Sequence, residues 1–419
     1  MMKSKPTFLS RRSFLKLTGI GTTATLIYSY FRGIRFPVLS WESKDIATII
    51  NSDTVDISFT DLINVSNIET SYNFRAFAPE PELHLTIKDK TTLTITINNI
   101  ANDAILNFSN SDHFDIQEEV SSINRKLTIS SNNNQSIKLQ WRLPELSGYN
   151  FAAIGDTGGD KELGWCIQRA HDLGARFLLH LGDFNYQESD YDNAIKLFTE
   201  APIPCYVSIG NHDFNESGLI YQQFLKQIGP LNNSFSIGKT RYINIDTAAN
   251  FLPYSSGQRG KLLRELENDP TNYEDNVVFT HRPVHDPQPA HIREETGDHD
   301  IGSKGETKWL INSLKKIKAT TLLSGHIHIF DRSTYQGIDN IIVGQGLGHQ
   351  DLLVNHNEIS KIALGNVNPS GRVNYEFPSL KMPMESHCHP RVKTVKDSLT
   401  ELPHSETIEK INVSCNQAS

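Results

Sequence analysis

A carboxylate and a phenol three residues apart mark the first place where this sequence could do chemistry. Asp183 and Tyr186 lie in the segment 182–186 (Gly-Asp-Phe-Asn-Tyr), directly after the apolar run 176–181, which predicts a buried strand. A carboxylate at the carboxyl end of such a strand can bridge two metal ions. A phenolate is a hard, anionic ligand, so its presence favours iron(III). Taken alone, the segment also fits an ordinary turn followed by a packed tyrosine.

Five short motifs, of which this segment is the second, each follow an apolar β run. Together they supply four oxygen donors and three imidazoles, namely Asp156, Asp183, Tyr186, Asn211, His281, His326 and His328. Two adjacent ions need about this number of ligands, with one shared carboxylate and an open position on each ion. In four of the motifs a glycine precedes the ligand residue, where we expect it to allow a sharp turn. Each motif alone has an ordinary explanation, but their conjunction predicts a dinuclear metal site.

The elements that must position these residues begin at Tyr149, where strand and helix patterns start to alternate. Such alternation is typical of a largely parallel or mixed sheet that is covered by helices. Residues 148–365 are therefore predicted to form a catalytic domain whose last strand spans 338–343. Residues 366–419 are polar and weakly periodic, and we expect them to be a C-terminal extension.

The segment before this domain has a different pattern. Between residues 41 and 147, short alternating β runs are separated by clusters of Asn, Asp and Ser, which predicts an antiparallel β-sandwich domain. His84 and His113 are isolated there, and no cysteine occurs between residues 42 and 147. A copper site is therefore excluded, and we expect a structural or substrate-orienting role.

Residues 1–40 contain no acidic residue, and the run 10–16 (Ser-Arg-Arg-Ser-Phe-Leu-Lys) resembles the twin-arginine export signal. The apolar stretch 17–31 that follows has the size of the hydrophobic part of a signal segment. The resemblance implies recognition by the twin-arginine translocation machinery, a periplasmic or secreted location, and no stable membrane insertion after export. The alternative is a basic, disordered N-terminus.

Composition excludes several other classes of protein. A net charge of −8 gives no basic surface of the kind that nucleic-acid binding needs. Nothing after residue 40 approaches the apolar length of a membrane-spanning helix. The four cysteines match neither a zinc motif nor a dense disulfide framework; Cys166 and Cys205 are expected in the core, and Cys388 and Cys415 could pair.

The five motifs resemble those of calcineurin-like metallophosphoesterases, and specifically those of purple acid phosphatases, over residues 149–350. Most metallophosphoesterases carry Asp-x-His in the first motif, whereas here the third position is Gly158. Tyr186 replaces the missing histidine, and this paired change marks the purple subgroup. The resemblance implies a four-layer α/β/β/α sandwich.

The resemblance also implies a ligand set. Iron(III) would be held by Asp156, Tyr186 and His328, and the second ion by Asn211, His281 and His326, with Asp183 bridging. The second metal in the family is Fe(II), Zn(II) or Mn(II), and the sequence does not select among them. Two further histidines are implied to face the substrate: His212, which would stabilise phosphoryl oxygens or protonate the leaving alcohol, and His291.

The implied function is that of an exported acid phosphatase, which hydrolyses phosphate monoesters through a hydroxide bound to the metal centre. One alternative is an exported phosphodiesterase resembling alkaline phosphatase D, which shares the export signal, the N-terminal β domain and a Gly-Asp-x-x-Tyr motif. The motif at 210–213 (Gly-Asn-His-Asp) argues against this alternative. The other is a non-catalytic exported binding protein, which the presence of every ligand type and His212 disfavours.

Overall fold

A computed structural model describes residues 48–109, 113–131, 134–213, 220–248, 256–290, 293, 299–301, 303–348 and 360–381. The predicted export signal, His291, Cys388 and Cys415 lie outside the described residues. Among the described residues, no helix combines the length and the apolar character needed to cross a membrane.

Residues 49–142, here called the N-terminal β region, form two sheets that pack face to face. In chain order the strands are β1 (Ile49–Asn51), β2 (Val55–Thr60), β3 (Leu62–Ile68), β4 (Ser71–Ala76), β5 (Glu82–Ile87), β6 (Thr91–Asn98), β7 (Ile105–Phe108), β8 (Phe114–Ser121), β9 (Asn124–Ser131) and β10 (Gln135–Arg142). The sheet orders are β1-β2-β5-β10-β7 and β3-β4-β6-β9-β8.

Buried apolar residues alternate with more exposed residues along these strands, and the buried ones form the core of the region. On β2, Val55, Ile57 and Phe59 are buried while the residues between them are less so, as expected for strands with one face on a core. The pairing is antiparallel except for β4 and β6, which run parallel. They do so because the chain crosses to the other sheet as β5 before it returns. The predicted antiparallel sandwich is thus confirmed apart from this pair.

The remainder of the described chain alternates strands and helices. In order these are β11 (Tyr149–Ile154), α1 (Lys161–Asp172), β12 (Ala175–His180), α2 (Asp190–Glu200), β13 (Cys205–Val207), α3 (Ile220–Gln227), β14 (Asn233–Ile237), β15 (Thr240–Asn244), α4 (Gln258–Glu267), β16 (Asp275–Phe279), α5 (Lys304–Lys316), β17 (Thr321–Ser324), β18 (Phe330–Tyr335), β19 (Ile338–Val343), β20 (Ala363–Val367) and β21 (Val373–Glu376). The first sheet has the order β13-β12-β11-β20-β21, and the second has the order β14-β15-β16-β17-β19-β18.

Large aromatic side chains fill the space between these two sheets. The Phe177 ring from β12 stacks on Phe151 from β11 at 5.5 Å and meets Tyr242 from β15 edge-on at 5.2 Å. Aromatic rings of this size account for much of the apolar area that a core buries. The first sheet therefore packs directly on the second.

Helices cover the outer faces of both sheets. The apolar stripe of α1, which includes Leu163 and Ile167, belongs to the same core as the first sheet. On the other side, α4 and α5 contribute Leu263 and Leu310 to a core with Val278 of the second sheet. The predicted four-layer α/β/β/α sandwich is confirmed.

The sheet continues past the predicted last strand. β20 lies antiparallel to β11 and is followed by β21, so the limit predicted at residue 365 falls inside β20. β20 lacks a strong β pattern because Gly365 interrupts it. That glycine is required, since a side chain there would overlap the Phe151 ring.

Candidate metal centre

All seven predicted donors converge at one end of the two sheets. The loops after β11, β12 and β13 of the first sheet carry Asp156, Asp183, Tyr186 and Asn211, and the loops after β16 and β17 of the second carry His281, His326 and His328. These strands are parallel within each sheet, so their carboxyl ends meet at the same edge. This is where open α/β sheets place their ligand sites.

One group of donors surrounds the phenol of Tyr186. Its oxygen lies 3.4 Å from Oδ1 of Asp156, 3.3 Å from Oδ2 of Asp183 and 3.2 Å from Nε2 of His328. Nε2 of His328 is also 3.3 Å from Oδ1 of Asp156. Ligand atoms around one transition-metal ion have separations of about this size, because each lies about 2 Å from the ion.

A second group begins on the other side of Asp183. Oδ2 of Asp183 is 3.3 Å from Nε2 of His281, which in turn is 2.9 Å from Oδ1 of Asn211. Suitable donor atoms of Asp183, His281 and His326 all lie within 4.8 Å of one another. Asp183 thus belongs to both groups, as a bridging carboxylate must.

The imidazole of His326 gives a direct test of whether an ion fits here. Its Nε2 is buried and has no hydrogen-bond partner among the described residues. A buried nitrogen without a partner is costly and rare, and an ion at this position would complete its bonding. The residues therefore fit two ions, one beside Tyr186 and one beside His326.

Three of the donor residues adopt an unusual backbone conformation. Asp156, Asp183 and His326 have φ values of 61°, 60° and 67°, in the left-handed region that side chains disfavour by about 1–3 kcal/mol. The expectation that the preceding glycines make the turn is thus incomplete, because the ligand residues themselves turn. A glycine is needed instead for close approach: a side chain at Gly325 would overlap the carboxylate of Asp156.

Gly158 lies next to the ring of Tyr186. Gly158 has a φ of 63°, and a β-carbon on it would lie 3.6 Å from Cδ2 of Tyr186. A larger side chain, such as a histidine in that position, would meet the tyrosine ring.

Two buried carboxylates that the sequence did not single out hold the loops in place. Asp213 accepts hydrogen bonds from the backbone N–H groups of Asp183, Phe184 and Gly210 at 2.7–2.9 Å. Asp190 accepts from the N–H of Tyr186 at 2.9 Å. An aspartate in a turn-like motif is the signal that could have identified Asp213.

Asp183 and His281, which lie side by side at the bridge, shift each other's pKa. Burial acts to lower the pKa of His281, but the adjacent Asp183 and Asp156 carboxylates outweigh it and raise that pKa to about 9. Burial acts to raise the pKa of Asp183, yet the His281 imidazole holds it below its ordinary value. Without metal, His281 therefore balances the bridging carboxylate with a proton, which a bound ion would replace.

The other histidines occupy distinct environments. His212 is exposed, and the centroid of its ring lies 4.6 Å from that of Tyr186. The backbone N–H of His212 donates to Oδ1 of Asp183 at 2.8 Å. His299 lies beside His326, with ring centroids 5.5 Å apart. The carboxylate of Asp286 accepts a hydrogen bond from the backbone N–H of His299 at 3.3 Å and so helps to hold this residue in place.

His180 is buried, as the sequence predicts, but it also joins two motifs. Its Nδ1 accepts from the N–H of Gly182 at 3.3 Å, so its Nε2 donates to Oγ1 of Thr157 at 2.9 Å. Burial lowers the pKa of His180 to about 3, so the ring stays neutral.

Comparisons with known proteins agree with this geometry. Residues 149–330 match the family model for calcineurin-like phosphoesterases, so the chain contains a calcineurin-like metallophosphoesterase domain, a fold that implies a dinuclear metal centre. The chain gives no match among curated proteins.

Several solved structures are similar to the chain at low identity. The purple acid phosphatase PPD1 from yellow lupin (Lupinus luteus) seeds is 15% identical with a TM-score of 0.46, covering 72% of this chain and 70% of that one. PhoD is 12% identical with a TM-score of 0.41, covering 72% and 86%. A dimetal phosphatase from Danio rerio is 12% identical with a TM-score of 0.38, covering 55% and 96%. Such weak likenesses do not identify a substrate.

Proposed function

We propose that this domain hydrolyses phosphate monoesters and has a metal centre of the purple acid phosphatase type. Iron(III) would occupy the site formed by Asp156, Tyr186 and His328, and Fe, Zn or Mn the site formed by Asn211, His281 and His326, with Asp183 bridging. The observation that supports this most strongly is the position of the Tyr186 phenol, 3.2–3.4 Å from donor atoms of three other predicted ligands. A phenol among carboxylates and an imidazole suits a hard trivalent ion.

The chain's own residues would divide the remaining work. When bound, the two ions supply Lewis-acid activation of water and polarise the phosphoryl group. The backbone of His212 is fixed by its bond to Asp183, while its side chain faces solvent beside the Tyr186 ring. Its imidazole is therefore placed to donate a hydrogen bond to a phosphoryl oxygen or a proton to the departing alcohol. His291 would be the second substrate-facing histidine, as the family resemblance implies.

A visible spectrum tests the assignment of Tyr186. The oxidised, iron-loaded protein should show a phenolate-to-iron charge-transfer band, and Tyr186→Phe should abolish it while Tyr273→Phe, a matched change away from the centre, should not. A colourless wild-type protein that contains iron would contradict the proposal.

The same preparations distinguish monoesterase from diesterase activity. We expect a higher kcat/KM for 4-nitrophenyl phosphate than for bis(4-nitrophenyl) phosphate. The reverse preference would favour the phosphodiesterase alternative.

Export is proposed from the sequence alone. Arg11→Lys combined with Arg12→Lys should retain the precursor in the cytoplasm without affecting its folding. Unchanged export of the double variant would refute a twin-arginine signal.

A further inference from the structure

The strand that leads to Asn211 has fewer hydrogen-bonded neighbours than the other strands that lead to predicted ligands. β13 is an edge strand of only three residues, and it pairs with β12 on one side only. Four residues after it ends, the chain reaches Asn211, whose side-chain oxygen lies 2.9 Å from His281. An edge strand exposes unpaired N–H and C=O groups, and buried groups of this kind need partners.

The N-terminal β region supplies such a partner through one side chain. The N–H of Cys205 donates to Oδ1 of Asn99 at 2.7 Å, and Nδ2 of Asn99 donates to the carbonyl of Cys205 at 3.0 Å. The carboxamide thus pairs with β13 in both directions, as one residue of a neighbouring strand would. Nδ2 also donates to the carbonyl of Ala76 at 2.8 Å, which ties the carboxamide to the end of β4.

A buried arginine reinforces the same carbonyl. Nη2 of Arg75 donates to the Cys205 oxygen at 3.0 Å, and its guanidinium lies over the Phe198 ring at 5.9 Å. Arg75 is 4% exposed and forms no ion pair with any described residue. Burying a guanidinium without a carboxylate is costly, so its presence on one carbonyl of a short strand calls for a specific explanation.

Two of the other contacts across this boundary lead to α2 instead. Nδ2 of Asn124 donates to the carbonyl of Thr199 at 3.3 Å, and the Ser122 hydroxyl donates to that of Ala201 at 3.2 Å. These two carbonyls belong to the end of α2, from which no predicted ligand follows before β13. They hold the region in place without acting on a metal-binding loop.

We propose that Asn99 and Arg75 are positioning residues for the Asn211 side of the metal centre. By completing the hydrogen bonding of β13, they fix the start of the loop that carries Asn211 and His212. The N-terminal β region then serves the reaction as a support for one half of the centre. This inference rests on the proposed function only in assuming that Asn211 is a ligand.

Hydrogen–deuterium exchange of the metal-free full-length protein tests the structural part. Asn99→Gly removes the carboxamide and tolerates the φ of 72° found at this position. We expect amides in 205–213 to exchange about fivefold faster, since a net hydrogen bond contributes about 1 kcal/mol, while α1 is unchanged. Asn124→Ala, a matched loss at the same boundary, should leave 205–213 as in the wild type.

Mn²⁺ titration by calorimetry tests the functional part. In Asn99→Gly the Kd of one of the two sites should rise about 10–100-fold, as found when supporting partners of ligands are removed, and the other site should be retained. Equal weakening of both sites, or unchanged affinity despite faster exchange, would overturn the proposal. A wild-type protein that binds fewer than two Mn²⁺ ions would refute the proposed dinuclear function instead, and the exchange result would still decide the role of Asn99.

A second pair of variants guards against a folding failure. Arg75→Met keeps the buried volume but removes the donor to Cys205. Arg125→Met is its control, because Arg125 is equally buried and donates to carbonyls within the N-terminal β region, including that of Ala101 at 2.6 Å. Faster exchange in 205–213 is expected for Arg75→Met only; the same increase in both variants would show general destabilisation and reject the proposal.

Discussion

The two sheets of the catalytic domain contribute different chemistry to one centre. Loops of the first sheet carry every predicted oxygen donor, whereas loops of the second carry every predicted imidazole. Neither sheet has a complete set, and each proposed ion would lie between an oxygen donor of one sheet and a nitrogen donor of the other. The ions would therefore connect the two sheets as well as bind the substrate.

The sheets also differ in how firmly they hold their loops. β16 and β17 have hydrogen-bonded neighbours on both sides, and so do β11 and β12. β13 is an edge strand, and side chains from elsewhere complete its hydrogen bonding: Asn99 at Cys205, and Asn244 at Val207, whose carbonyl accepts from Nδ2 at 3.4 Å. A ligand on an interior strand is positioned by its own sheet, whereas a ligand that follows an edge strand depends on other parts of the chain.

The bridge between the sheets should give the largest effect. Asp183→Asn removes the carboxylate that both donor groups share, so both ions should be lost, as measured by metal analysis. A single acid–base group contributes about 10²–10⁴-fold to the rate. Activity toward 4-nitrophenyl phosphate should fall by more than this. Asp172→Asn, on the exposed face of α1, is the control. Retention of two ions in Asp183→Asn would separate the two halves of the centre and contradict the shared bridge.

His212, on the first sheet, should affect catalysis without affecting metal content. His212→Ala leaves all predicted ligands in place, so we expect kcat for alkyl phosphates to fall about 10²–10⁴-fold. The decrease should be much smaller for 4-nitrophenyl phosphate, whose leaving group needs little protonation. His326→Ala, on the second sheet, should instead lose one ion.

Two results would change this assignment of His212. Metal loss in His212→Ala would make His212 a ligand. An equal rate loss for all leaving groups, with metal retained, would indicate electrostatic stabilisation of the phosphoryl group.

The smallest expected effect concerns His180, which lies within the first sheet. Its pKa is about 3 in the folded protein against 6.5 for an ordinary histidine, so between these values the unfolded chain binds a proton that the folded protein does not. Stability from this residue is therefore complete above pH 6.5 and is lost as the pH falls. From pH 6 to pH 5 the loss should be about 1 kcal/mol. Denaturant unfolding of wild type and His180→Gln measures it; equal pH slopes would show that His180 is not held neutral.

The sequence by itself determined the fold class and the positions of the seven candidate donors. The seven predicted ligands were identifiable because each follows an apolar run that forms a strand, and parallel strands bring their carboxyl ends to one edge. Periodicity likewise sufficed for most strands and helices, since burial on one or both faces leaves a local pattern. β20 and β21 were missed because Gly365 and short strand length weaken that pattern.

Only the tertiary structure decided how the donors are supported and which side chains lie around them. It placed Asp183 between the Tyr186 phenol and His281, and it brought His299 beside His326. It also paired Asn99 with Cys205, 106 residues further along the chain. Such contacts leave no periodic trace in a sequence, because they depend on the distance between side chains of separate elements once the sheets have packed.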